Sequence, residues 1–292
     1  MRLALLGLGL IGGSIARAVR GTGWEVAAWT PTGGGPRAAL AAGAIDVAAP
    51  TIDAAVEGAD LVVLAAPPSA CLDLLDRLAA GKGGFLPQAT VVTDVASTKA
   101  LLVQRAGALG IRFVGGHPMA GRETSGFGAA DPDLFRGRPW VVVPANAADG
   151  AAVAAVESLA VACGALPVRM TAAVHDAAVA AISHAPLVVA AALVEAMTGG
   201  PGEPTARGWP AAETLAASGW TGATRLARGD AAMGAGIART NAGPLAERLR
   251  GVRDRLDEWL ELLEATGHDG LPDEAALHAR FAAARARLEE GG

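Results

Sequence analysis

The chain has 292 residues, of which 52% are hydrophobic, 18% charged and 4% aromatic, with a formal net charge of -5. That balance excludes an intrinsically disordered chain, and the acidic surplus speaks against a nucleic-acid partner. Tyrosine is absent and lysine occurs only as Lys82 and Lys99, so a catalyst needing a phenol is excluded and proton transfer falls to His117, His175, His184, His268 and His278.

The first 18 residues pair one arginine with an apolar run and end on Ala16 and Ala18, as a signal peptide would. Glycines at 7, 9, 12 and 13 suit a strand followed by a turn better. Further short apolar runs at 25–29, 61–65, 90–93, 112–114 and 140–143 predict strands covered on both faces. Helical patterns at 12–20, 36–42, 51–57, 69–80 and 98–109 alternate with them, which predicts a doubly wound, mainly parallel sheet. A helix over 149–163, capped by Asp149, and a short strand near Val168 complete that half.

Beyond Thr171 the strand signals stop. Residues 172–197 read as one long helix, bent at Pro186. Its apolar part, 177–197, holds Ser183, His184, Pro186 and Glu195 and is not expected to span a membrane. A Gly/Pro-rich loop follows at 199–210, and helical patterns then run nearly to the end. Leu245, Leu249, Val252, Leu256, Trp259 and Leu263 form a seam that serves either the chain's own core or a subunit interface. The fold class is therefore α/β: a Rossmann-type domain over 1–171, then an all-helical domain over 172–292. Cys71 and Cys163 are too few for a disulfide framework or a zinc cage and fit a reducing, cytoplasmic setting, though the one pair could still bridge.

Gly7-Leu8-Gly9-Leu10-Ile11-Gly12 is G-x-G-x-x-G, after a strand and opening a helix. The first glycine makes the turn, the second admits a pyrophosphate and the third brings helix and strand together. The helix N-terminus offers free N–H groups to the phosphates. Ala66 and Pro67, beyond the strand at 61–65, join this cofactor set. An NAD site usually places an acid at the end of the second strand, and here that place holds Thr30-Pro31-Thr32. Thr30 and Thr32, with Arg37 as counter-charge, lean toward NADP over NAD.

The segment 113–126 places His117 where a strand ends, at the border of the ligand crevice of an open α/β sheet. The loop 93–99 also follows a strand. From it Ser97 can reach the same crevice and orient His117, or Ser97 or Thr98 can cap the next helix.

Here the sequence resembles the prephenate/arogenate dehydrogenase family of tyrosine biosynthesis, over nearly its whole length. The resemblance rests on GLGLIGGS, TDVASTK, GGHPMAGRETSG, VHDAAVAAISHAP and ASGWTGATRLARGD. It implies NAD(P)-dependent oxidative decarboxylation of a cyclohexadienol, prephenate or arogenate. His117 becomes the base, Ser97 a hydrogen-bond partner of the substrate hydroxyl or of His117, and Arg225 the carboxylate-binding fork. Glu123 matches a position at the mouth of the site, Gly121 joins the substrate-binding set, and His175 and His184 are helix-packing or hydrogen-bonding residues rather than catalytic ones. No metal is implied, and a homodimer through the helical domain is expected. Three departures count against strict prephenate specificity: Leu187 replaces a second histidine, Gly222-Ala223 an acid, and Gly234 a tryptophan. The segment 219–241 resembles members that accept arogenate with NADP. A dedicated regulatory module is not expected.

Two other readings compete. A β-hydroxyacid dehydrogenase would use a lysine in the helical domain, yet Lys82 and Lys99 both precede it. A non-catalytic NADP-sensing protein would have no need of His117, Ser97 and Arg225 together.

Overall fold

The computed structural model describes all residues except 82–85, 88, 123, 146–148 and 291–292, so Lys82 and Glu123 lie outside the described residues. The chain divides into two compact units, Met1–Leu245 and Ala246–Gly292.

The first unit opens β1 (Arg2–Leu6), α1 (Leu10–Ala18), β2 (Glu25–Trp29), α2 (Gly34–Ala41), β3 (Val47–Ala48), α3 (Ile52–Val56), β4 (Leu61–Leu64), α4 (Pro68–Ala80), β5 (Val91–Asp94) and α5 (Ala100–Ala108). The five strands form one parallel sheet in the order β3-β2-β1-β4-β5. The initial apolar run is thus a central strand, paired on both sides. Leu3, Leu5, Leu61 and Val63 enter one core, and Ala4, Leu6, Val62 and Leu64 the other. Two buried faces explain why these strands read as unbroken apolar runs. The chain runs outward from β1 through β2 to β3, then crosses back through α3 to β4 on the other side of β1, so a crevice opens beyond the carboxyl ends of β1 and β4.

A single parallel bridge between Val92 and Phe113 leads on to β6 (Val114–Pro118), followed by β7 (Pro139–Pro144), α6 (Gly150–Ala162) and β8 (Leu166–Arg169). β6 runs antiparallel to β7, with His117 opposite Val141, and β7 pairs with β8 in parallel. The strand expected at 112–114 instead begins at Val114 and runs to Pro118. Its glycines and proline hide a ladder that backbone groups alone can make. Asp149 caps α6 as expected, accepting from the Ala152 amide at 3.0 Å. Trp140 is fully buried, its ring 5.3 Å from Phe135.

The expected single helix is α7 (Ala172–Val179), a π turn at Ala180–His184, and α8 (Ala185–Thr198). The irregularity falls before Pro186, which has no N–H to donate and whose ring displaces the carbonyl one turn back. By length and composition the run Ala172–Thr198 could cross a membrane. Its His175, Asp176 and His184, however, are buried and hydrogen-bonded to other parts of the unit. Next come α9 (Trp209–Thr214), α10 (Ser218–Thr224), the turn Arg225–Arg228 and α11 (Ala231–Thr240). α11 lies on α4, and Thr240 Oγ1 meets Thr98 Oγ1 at 2.8 Å.

α12 (Ala242–Glu264) begins in the first unit, and α13 (Glu274–Glu290) belongs to the second. In the second unit Trp259 packs 4.7 Å from Phe281, and Arg280 sits over the Trp259 ring while pairing with Glu258. Leu256 and Leu263 of the expected seam remain exposed, as does Leu260 beside them. That part of the seam is no core of its own unit.

Replacing Trp140 by alanine removes a large, fully buried side chain between β7 and its neighbours. We expect the urea unfolding free energy to drop by about 3–5 kcal/mol; a loss under about 1 kcal/mol would show that the site collapses without cost.

Candidate functional site

The crevice is built first by glycine. Gly7 has φ 116°, and a Cβ there would run into the Ala65 carbonyl. A Cβ on Gly12 would strike the Gly7 carbonyl, whereas one on Gly9 meets nothing within 4 Å. The first and third glycines therefore hold loop, β4 and α1 together, and the second faces open space. Leu8, Leu10 and Ile11 point into the core and offer only their backbone. No side chain caps α1, so its first N–H groups are left for an anion. These features fit a dinucleotide pyrophosphate. Ala66 and Pro67 follow β4 beside this loop, Pro67 at the N-cap of α4.

At the end of β2 the Gly33 amide donates to Thr30 Oγ1 at 3.1 Å, and Arg37 reaches the Thr32 carbonyl at 3.4 Å. No carboxylate stands at this turn.

The second part of the site lies where β5 and β6 end. Asp94 and Lys99 form a fully buried ion pair. Asp94 also accepts from the amides of Ala96, at 2.9 Å, and Gly116, at 3.1 Å. Burial raises the Asp94 pKa, against the opposing pull of Lys99 and these amides. Gly116 immediately precedes His117, so this pair fixes the strand that presents the imidazole.

His117 Nδ1 lies 2.9 Å from His175 Nε2, with the ring planes at 78°. His175 Nδ1 lies 2.8 Å from Asp176 Oδ1. Asp176 also accepts from the amides of Lys99 and Ala100, each at 2.8 Å, and thereby caps α5. Burial alone would raise the Asp176 pKa; hydrogen bonds from His175 and these amides outweigh it and carry it below the usual value. Behind this chain Asn241 Nδ2 donates to the Asp176 carbonyl at 2.9 Å and lies 3.0 Å from His184 Nδ1.

Two sequence expectations change here. His117 is oriented by His175, not by Ser97, whose Oγ is buried with no partner among the described residues. The cap of α5 comes from Asp176, 76 residues beyond Ala100, not from Ser97 or Thr98. An unpartnered hydroxyl beside the crevice is a group available to a ligand.

Gly121 is exposed and, with Met119, Ala120 and Arg122, lines a cavity of about 390 Å³. From there the chain returns to α1, where the Asp131 amide donates to Ser14 Oγ at 2.9 Å. Arg225 is exposed at the head of the turn that packs on α8. Cys71 and Cys163 are buried free thiols, each with its pKa pushed up to about 12 by burial.

Burial, then the charge of Lys99, holds the His117 pKa well below 6.5, and burial holds His184 at about 4. The unfolded chain binds protons at these rings from about pH 6.5 downward, while the fold does not. Stability is therefore expected to fall as pH drops below 6.5, with His184 contributing between pH 6.5 and about 4, about 2 kcal/mol of it by pH 5, and His117 adding to the loss in the same direction. Calorimetry should show this slope, and His184→Gln should flatten it; an equal slope in the variant would remove His184 from the account.

Family models agree with this geometry. The nucleotide-binding domain of prephenate dehydrogenase matches residues 15–169, and its dimerization domain matches 171–275. The glycine loop precedes the first match and rests on its own geometry. A prephenate dehydrogenase of Bacillus subtilis is 33% identical over 267 residues, covering 90% of this chain and 68% of that protein. The crystal structure of Synechocystis arogenate dehydrogenase superposes with a TM-score of 0.80 at 29% identity, covering 100% of both chains. That of prephenate dehydrogenase from A. aeolicus, in complex with hydroxyphenyl propionate and NAD+, gives 0.84 at 25% identity, covering 99% of this chain and 98% of the other. The chain belongs to the prephenate dehydrogenase family.

Proposed function

We propose that the chain oxidatively decarboxylates prephenate or arogenate in tyrosine biosynthesis, with a nicotinamide dinucleotide as hydride acceptor. The observation that carries this reading is His117 at the end of β6, one ring nitrogen held by His175 and the other left to a substrate. The dinucleotide, when bound, supplies the acceptor for the hydride leaving the hydroxyl-bearing ring carbon. Gly7, Gly9, Gly12 and the start of α1 hold its phosphates. His117 takes the hydroxyl proton as the ring carboxylate departs as CO2 and the ring becomes aromatic. Ser97 Oγ, without a partner of its own, hydrogen-bonds the same hydroxyl. Arg225 pairs with a substrate carboxylate, a task suited to a guanidinium fork.

NADP is the favoured cofactor and arogenate the favoured substrate. The turn after β2 presents Thr30, Thr32 and Arg37 with no carboxylate for a ribose 2′-hydroxyl. Gly222-Ala223, Gly234 and Leu187 supply the second preference. The nucleotide half is assigned to 1–171 and the substrate and dimer half to 172–292. A homodimer would cover Val174, Ile182, Leu256 and Leu260, which are exposed. The cytoplasm, where the free thiols stay reduced, is the proposed location.

Incubation with NADP or NAD and either substrate should raise the reduced-nicotinamide absorbance in at least one of four combinations; silence in all four overturns the reading. His117→Asn is expected to keep cofactor affinity and lose kcat by roughly 100-fold or more. Arg225→Ala should chiefly raise KM, by about tenfold, and an unchanged KM would remove Arg225 from substrate binding.

A further inference from the structure

We infer that Asp176 and His175 are positioning residues that set the tautomer of His117, so that its Nε2 carries a lone pair and not a proton. The inference rests on His117 being the base.

The argument starts at a helix end. The first amides of α5 have no local side chain to receive them, and both oxygens of Asp176 are turned to those of Lys99 and Ala100. Amides can only donate, so they hold Asp176 as the acceptor, in its carboxylate form. Oδ1 of that carboxylate lies 2.8 Å from His175 Nδ1, and a carboxylate can only accept, so His175 carries its proton on Nδ1. A neutral imidazole has one donor and one acceptor, which leaves His175 Nε2 as the acceptor. At 2.9 Å from it, His117 Nδ1 must then donate. The proton of His117 is thereby placed on Nδ1, and Nε2 is bare.

With both rings neutral, each step follows from the one before, and the reverse order fails at its far end. A proton on His175 Nε2 would leave Nδ1 facing the carboxylate lone pair to lone pair. It would also put the His117 proton on Nε2, where the ring donates to a substrate hydroxyl and takes nothing from it. Asp176 touches no reacting atom, and it acts over two hydrogen bonds. The Lys99–Asp94 pair supports the same arrangement, since the Lys99 amide that fixes Asp176 follows directly from the loop that Asp94 anchors.

The direct test needs no variant. Selective 15N labelling of histidine, with two-bond proton–nitrogen correlation at pH 7.5, reports which nitrogen of each ring bears the proton. His117→Asn and His175→Gln assign the signals. We expect Nδ1–H on both His117 and His175, and an Nε2–H on His117 would overturn the inference. A second measurement uses turnover. His175→Gln places a carbonyl oxygen where Nε2 stands, able only to accept from His117, whereas His175→Leu leaves His117 Nδ1 without a partner. The Gln variant should retain kcat at least about tenfold above the Leu variant, with KM of the two within about threefold; equal kcat values would overturn the inference. Asp176→Asn should cut kcat by roughly 100- to 10,000-fold, as expected for a base in the wrong tautomer. Wild-type protein that is silent in all four assays refutes the proposed reaction, while active protein with His117 protonated on Nε2 refutes only this inference.

Discussion

A lysine and an aspartate with no access to water hold the centre of this protein. Removing two charges from water is costly, and the cost is recovered only where each charge is paired and its remaining hydrogen-bonding capacity filled. Lys99 and Asp94 pair with each other, and Asp94 takes two further amides, from Ala96 and Gly116. Through Gly116 the pair fixes β6, and through the Lys99 amide it reaches Asp176 on α7. The end of the parallel sheet, the strand bearing His117 and the first helix of the following run are thus tied at one point. The geometry at His117 follows from electrostatics several bonds away from it.

The site divides its labour between backbone and side chain. On the nucleotide side, Leu8, Leu10 and Ile11 are spent on the core and the loop offers little but peptide groups. In the proposed site, selectivity between dinucleotides is assigned to Thr30, Thr32 and Arg37, beyond the adjacent strand. Near β6 the reverse holds: His117, His175 and Asp176 are linked side chain to side chain, Asn241 joins the Asp176 carbonyl to His184, and the Ser97 hydroxyl is left without a partner among the described residues. A network of this kind is rigid, because each member's donor pattern is fixed by its neighbour.

Much of the fold is legible in the sequence because burial on both faces writes itself as continuous apolar runs. The strand Glu25–Trp29, the glycine loop, the Asp149 cap and the change to helices after Thr171 all rest on local chemistry. The two-residue β3 is too short to carry a pattern, and β6 is masked by its own glycines, histidine and proline. His117 was readable from its place after a strand. Its partners were not: His175 is 58 residues away and looks like helix packing, Asp176 sits mid-pattern, and nothing local in the sequence marks Lys99 for burial. Ser97 and Thr98 look like caps because the sequence shows only neighbours, and the cap that forms is remote.

That remote cap has a consequence for how the protein is made. A chain leaving the ribosome exposes α5 long before Asp176, 76 residues after Ala100, has been synthesised. At ordinary elongation rates this interval lasts about 4–15 s. During it the nucleotide-binding sheet can assemble, but the helix behind its last strand has an open end and the Lys99 amide has no acceptor. The nucleotide half therefore passes through a stage in which its most buried charges are closed off on one side only. Completion waits for α7, so the segment that finishes the fold is the same one that delivers His175 to His117.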